Sequence, residues 1–147
     1  MRKLFARQSY AESAPELLES LQIEFEQTPG FVLWLLGEMG AGKTSLVRAL
    51  LYKLGLSPAV PVTSPTYTIM HEYRIAGNWY AHLDLYRAEA HFSLDEIGVR
   101  DMRDYRGMFV EWPEQGGAEQ QLAATHILRI EADGLSRRLY TFERICL

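Results

Sequence analysis

Residues 37–45 read GEMGAGKTS, and no other stretch of the 147-residue chain limits its fold so strongly. Gly37, Gly42, Lys43 and Thr44 satisfy the pattern GxxxxGK[ST]. In that pattern a glycine-rich turn joins a buried strand to a helix, and its backbone N–H groups close around phosphate oxygens. The flanks meet the requirement. Residues 31–36 (FVLWLL) are a continuous apolar run, as a strand covered on both faces demands. From Lys43, the spacing of Leu46, Val47, Leu50, Leu51 and Leu54 is helical, and Gly55 and Pro58 supply its stop signals. Gly37, Gly40 and Gly42 are expected to provide positive φ and close backbone approach. Glu38, Met39, Gly40, Ala41, Gly42, Lys43, Thr44 and Ser45 are thus the expected nucleotide-binding residues. Lys43 would reach the β- and γ-phosphates and Thr44 would offer Mg²⁺ a hydroxyl, so a nucleoside triphosphate and Mg²⁺ are the implied cofactors.

The rest of the chain reads as alternating helices and strands. Ser13 and Glu16 have the spacing of a capping box, followed by Leu17, Leu18, Leu21 and Phe25 on one helical face and a stop at Thr28-Pro29-Gly30. Residues 67–74 and 79–85 are rich in aromatic and β-branched residues around a turn at Ala76-Gly77-Asn78, which predicts an antiparallel pair. Ser93 and Glu96 predict a short helix over 93–99, and residues 107–112 read as another buried strand. Residues 126–131 and 138–145 predict a second hairpin around Asp133-Gly134. The expected fold is a single α/β domain over 1–147, P-loop NTPase-like, with a mixed sheet, flanking helices and antiparallel hairpins.

A P-loop ATPase also needs an acid at a strand end beside the cation, and two are available: Asp84 in HLDLYR and Glu111 in MFVEWPE. Glu111 ends the more continuous apolar run and better matches a Walker B acid, holding Mg²⁺ with Thr44 directly or through water. Asp84 could then orient the attacking water, with Lys43, Asp84 and Glu111 forming the catalytic set. Thr63, Ser64, Pro65 and Thr66 read either as a γ-phosphate-sensing switch or as a plain proline turn. Arg87 is an in-chain candidate for neutralising transition-state charge. Arg100, Arg103 and Arg106 interleave with Asp101 and Asp104, the pattern of a solvated charged face. The four histidines lack metal-like spacing and read as ordinary strand or loop residues.

Composition narrows the function further. One cysteine, Cys146, argues against disulfide or structural zinc chemistry. No apolar run is long enough to span a bilayer and no secretory h-region opens the chain, so a cytoplasmic protein without membrane contact is expected. A formal charge of −4 makes any contact with RNA indirect or local.

Four blocks together narrow the superfamily. GEMGAGKTSL at 37–46, VTSPTYTIMHEY at 62–73, HLDLYR at 82–87 and VEWPE at 110–114 resemble, in order and spacing, the TsaE (YjeE) family of bacterial ATPases that take part in making threonylcarbamoyladenosine in tRNA. The resemblance implies ATP binding at the P-loop, Mg²⁺ held by Thr44 and Glu111, and a role for Asp84 in hydrolysis. It also implies the switch reading of residues 63–66, a place for Trp112 near the nucleotide, and docking on the partner proteins TsaD and TsaB, with tRNA engaged indirectly. ATP over GTP follows from the resemblance and from the lack of an NKxD motif. Glu38-Met39 stands where the family commonly has Asp-Leu, in loop positions that contribute mainly backbone. A small-molecule P-loop kinase is the alternative; it predicts an acceptor pocket and a lid, and no arginine-rich lid segment is present. A nucleotide-gated assembly module is a third reading.

Overall fold

The computed structural model describes residues 2–10, 15–88, 93–117, 121–134 and 137–145, and for 2–10 the backbone alone. Among the described residues, seven strands and two α-helices follow in the order β1 (Arg2–Tyr10), α1 (Pro15–Glu26), β2 (Phe31–Leu36), α2 (Lys43–Lys53), β3 (Met70–Ile75), β4 (Asn78–Asp84), β5 (Tyr105–Glu111), β6 (His126–Asp133) and β7 (Arg137–Arg144). All seven strands share one sheet in the order β1-β7-β6-β2-β5-β4-β3. β6, β2, β5 and β4 run parallel, while β3, β7 and β1 are added antiparallel at the two sides. This is the expected mixed α/β sheet. Central parallel strands need cover on both faces, which explains why FVLWLL carries no charge.

Both α-helices lie on one face. Leu17, Leu21 and Phe25 of α1 and Leu46, Val47, Leu50 and Leu51 of α2 enter one core with Phe31, Leu33, Leu35, Phe109 and Phe142 from the strands. Val32, Leu83, Met108 and Val110 point to the other face, where Leu94, Ile97, Val99 and Leu122 cover them. Gly107 is required by the first core, because a Cβ there would lie 2.1 Å from the Phe31 ring, itself stacked on Phe25. α2 ends as its sequence predicts. Gly55 takes φ 117°, the Gly55 N–H bonds to the Tyr52 carbonyl and the Leu56 N–H to that of Leu51, a Schellman termination.

Several boundaries depart from the sequence expectation. β3 starts at Met70 rather than at 67, because residues 65–69 close a turn through Ile69 N–H to the Pro65 carbonyl and Ile69 takes φ 70°. β4 starts at Asn78 rather than 79, and β5 at Tyr105 rather than 107. Residues 93–99 form no helix. The Ser93 hydroxyl does accept the Asp95 N–H, but Gly98 enters the left-handed region at φ 82° and stops the chain after one turn. β1 was not expected from sequence at all; it is recruited by antiparallel pairing with β7. The arginines at 100, 103 and 106 do not form a common helical face. Arg103 pairs with Asp101 in solvent, Arg100 covers Trp79 and pairs with Glu72, and Arg106 donates to the Glu26 and Thr28 carbonyls. Ser13 of the expected capping box and Cys146 lie outside the described residues.

A polar clamp holds the end of α1 to the sheet. Glu24 receives Arg144 Nε and Nη2 at 2.7 Å each and His126 Nε2 at 3.1 Å. The His126 ring is buried, stacked on Phe142 and edge-on to Phe25. Burial raises the Glu24 pKa, but the hydrogen bonds from Arg144 and His126 outweigh it and leave the carboxyl below its ordinary 4.5. Burial also holds His126 below its ordinary 6.5, against the pull of Glu24. Both groups therefore bind protons more readily in the unfolded chain than in the folded one. Stability is expected to fall as pH drops below about 6.5, through His126, and again below about 4.5, through Glu24. Denaturant unfolding from pH 8 to 4 tests this, and Glu24→Gln with His126→Gln should flatten the curve.

Candidate active site

The loop that leaves β2 turns twice through backbone conformations that favour glycine. Gly40 has φ 80° and Gly42 φ 104°, and the Ala41 N–H closes the turn on the Glu38 carbonyl. Gly37 is different. It is not in the positive-φ region; its role is close approach, since a Cβ would stand 2.7 Å from the Ile130 carbonyl oxygen of β6. Gly42 is the N-cap of α2 and has no side chain to satisfy the first-turn N–H groups. Those donors and the positive helix end face a cavity of about 600 Å³ at the C-terminal ends of the parallel strands.

Lys43, Thr44, Asp84 and Glu111 all line that cavity, together with Met39, Gly40, Gly42, Ser45, Ser64, Thr66, Arg87 and Trp112. The Thr44 hydroxyl lies 3.1 and 2.9 Å from the two Glu111 carboxylate oxygens. Lys43 Nζ donates to the Gly37 carbonyl at 2.5 Å and sits 3.5 Å from the centre of the Trp112 ring. Burial lowers its pKa from the ordinary 10.5, while Glu111, Glu114, Asp84 and Glu38 pull it back up. Asp84 is buried. Its Oδ2 accepts the Thr66 hydroxyl at 2.9 Å and the Ser64 hydroxyl at 3.2 Å, and its Oδ1 accepts the Tyr86 N–H at 2.9 Å. The two acids are neighbours because β4 and β5 pair Asp84 opposite Glu111.

Not every expected residue meets the cavity. Thr63 is exposed and lies off its wall, and Pro65 is buried and contributes the carbonyl that closes the 65–69 turn. Glu38 faces a second cavity of about 540 Å³ beyond Trp112. Ala41 is buried and offers its carbonyl to Arg138 Nε at 2.6 Å. That arginine was missed in the sequence, where nothing links position 138 to the loop. Tyr67 and Tyr86 were also missed. Tyr67 carries the Arg87 guanidinium 4.6 Å above its ring, and Tyr86 leans on Trp112. His82, expected to be an ordinary strand residue, reaches Glu111 with Nε2 at 2.5 Å. The HLD spacing was the available signal, since positions 82 and 84 of a strand share a face.

The Thr44 hydroxyl and the Glu111 carboxylate face one another as oxygen ligands, the donor chemistry that suits Mg²⁺. Among the described residues no three His, Cys, Asp or Glu side chains gather as a self-sufficient metal site.

A glycine-rich loop between a parallel strand and a helix, facing two strand-end acids, defines an α/β fold of the P-loop NTPase type. The chain belongs to the TsaE family, whose profile, described as threonylcarbamoyl adenosine biosynthesis protein TsaE, matches residues 9–139. It is similar to the tRNA threonylcarbamoyladenosine biosynthesis protein TsaE of Haemophilus influenzae, at 35% identity over 76% of this chain and 68% of that protein. The Bacillus subtilis protein of the same name is 33% identical over 80% of this chain and 72% of its own length. The Nostoc protein is 48% identical over a shorter stretch, 42% of this chain and 37% of its own. The crystal structure of Bacillus subtilis YdiB superposes with a TM-score of 0.69 at 27% identity, covering 99% of this chain and 88% of that one. Among the described residues no helix is long and apolar enough to cross a membrane.

Proposed function

We propose that this chain is a Mg²⁺-dependent ATPase that serves the threonylcarbamoyladenosine modification of tRNA as an accessory to TsaD and TsaB. The observation that carries the reading is the convergence of Lys43, Thr44, Asp84 and Glu111 on one cavity at the mouth of the P-loop. The amides of the loop and of the first turn of α2 would grip the β- and γ-phosphates. Lys43 would leave the Gly37 carbonyl for the phosphate oxygens. Thr44 and Glu111 would hold Mg²⁺, which when bound neutralises phosphate charge. Asp84, fixed by two hydroxyls and one backbone N–H, would accept a hydrogen bond from the attacking water. Ser64 and Thr66, tied to that carboxylate, make the 63–66 segment responsive to what occupies the γ-position.

Arg87 is the sole arginine on the cavity wall among the described residues, and it is held on Tyr67 at the rim. Transition-state charge is then left partly unneutralised until a partner docks, so turnover by the protein alone should be slow. A net charge of −4 favours engagement of tRNA through the partners. We take residues 1–147 to be one ATPase domain working in the cytoplasm. The test is phosphate release from Mg-ATP with and without purified TsaD and TsaB, using γ-labelled ATP. Partner-stimulated release of free phosphate is expected; transfer of label to a small-molecule acceptor instead would sink the reading in favour of a kinase.

A further inference from the structure

His82 is fully buried on the strand face that carries Asp84, and its ring is divided in its satisfaction. Nε2 lies 2.5 Å from Glu111 Oε2, while Nδ1 has no hydrogen-bond partner. Burying a polar atom without a partner is costly, and an apolar side chain would fill this strand position without that cost. A buried N–H is the worse group to leave unpaired, so Nδ1 is the bare acceptor and Nε2 carries the proton toward Glu111.

Glu111 is held from two sides. Oε2 faces both His82 and Thr44, whereas Oε1 faces Thr44 alone. Thr44 is itself a ligand in the reading above, so its hydroxyl cannot serve as the fixed anchor of the carboxylate. We infer that His82 is a positioning residue for the cation: its Nε2–H pins Oε2 of Glu111 and leaves Oε1 and the Thr44 hydroxyl as the pair turned to Mg²⁺. The inference rests on the Mg-ATP reading. It assigns unequal roles to the two carboxylate oxygens and gives the first position of the HLD sequence a function beyond filling the core.

The test is a titration of MgCl₂ into the protein with a fluorescent ADP analogue, reading nucleotide affinity with and without the cation. His82→Leu is expected to raise the Mg²⁺ concentration for half-maximal effect by about 10- to 100-fold, the usual consequence of losing the partner of a metal ligand. Its nucleotide affinity in EDTA should match that of the unaltered protein. His82→Gln, whose amide nitrogen can donate from near the Nε2 position, should recover most of the loss. Should His82→Leu not fold, His82→Asn replaces it, its shorter amide stopping short of Glu111. An unchanged Mg²⁺ requirement in the Leu or Asn variant would overturn the inference. So would an equal loss of affinity in EDTA, which marks a merely structural role. If the unaltered protein shows no effect of Mg²⁺ on nucleotide binding, the Mg-ATP reading itself fails and takes the inference with it.

Discussion

Asp84→Asn is expected to cut phosphate release from Mg-ATP by about 10²- to 10⁴-fold, the range for removing a positioned proton acceptor, while nucleotide affinity stays near its original value. The separation follows from where the groups sit. In the proposed reading phosphate is gripped by the loop and α2, whereas the Asp84 carboxylate, at the end of β4, accepts from the Ser64 and Thr66 hydroxyls and the Tyr86 N–H. Asparagine keeps an oxygen for the Tyr86 N–H, and its amide can donate to hydroxyls that are free to reverse direction. The turn should therefore survive, and the lost negative charge is what remains to be felt. Single-turnover hydrolysis measured beside equilibrium binding checks this. A parallel fall in both would place Asp84 in phosphate binding and end its assignment to the water.

Lys43→Met should separate affinity from stability in the opposite direction. The methionine keeps an apolar side chain of similar length but removes the ammonium that sits over Trp112 and bonds to the Gly37 carbonyl. Nucleotide affinity should fall by roughly 10- to 100-fold, corresponding to a charge-assisted hydrogen bond of about 1.5–3 kcal/mol. The nucleotide-free protein should melt no lower than the original. Burial disfavours the charged lysine, and its depressed pKa means that the fold bears a cost for holding it at neutral pH. Thermal melting with and without Mg-ATP reads both effects at once. A variant that melts well below the original without nucleotide would show that Lys43 stabilises the loop rather than waiting for phosphate.

The parts of the fold that could be read in the sequence are those specified by neighbouring residues. β2, the glycine turns, α2 and its Gly55 termination all lie within residues 31–55, and each signal acts over a few positions. β1 failed that test, because what makes Arg2–Tyr10 a strand is β7, more than a hundred residues away. The expected helix at 93–99 had its cap but no long apolar stripe behind it, and Gly98 decided the outcome. At the site, the four principal residues were legible because each belongs to a recognisable block. Arg138 was not: the hairpin that carries it was expected, but its contact with Ala41, 97 positions earlier, is a tertiary one that no local pattern encodes. His82 sat in full view beside Asp84, and its importance lay in the partner strand it faces.

The pairing of Asp84 opposite Glu111 sets a fixed ruler inside this molecule. The spacing of the two backbone positions is written in a ladder, and it cannot change unless β4 slips past β5 by a whole register. In the proposed reading, a difference between nucleotide states would be expressed around that ruler, by the 63–66 segment tied to Asp84 and by the Lys43 side chain. A docking protein that senses the bound nucleotide would read those parts, above two acids whose backbone positions the sheet has set.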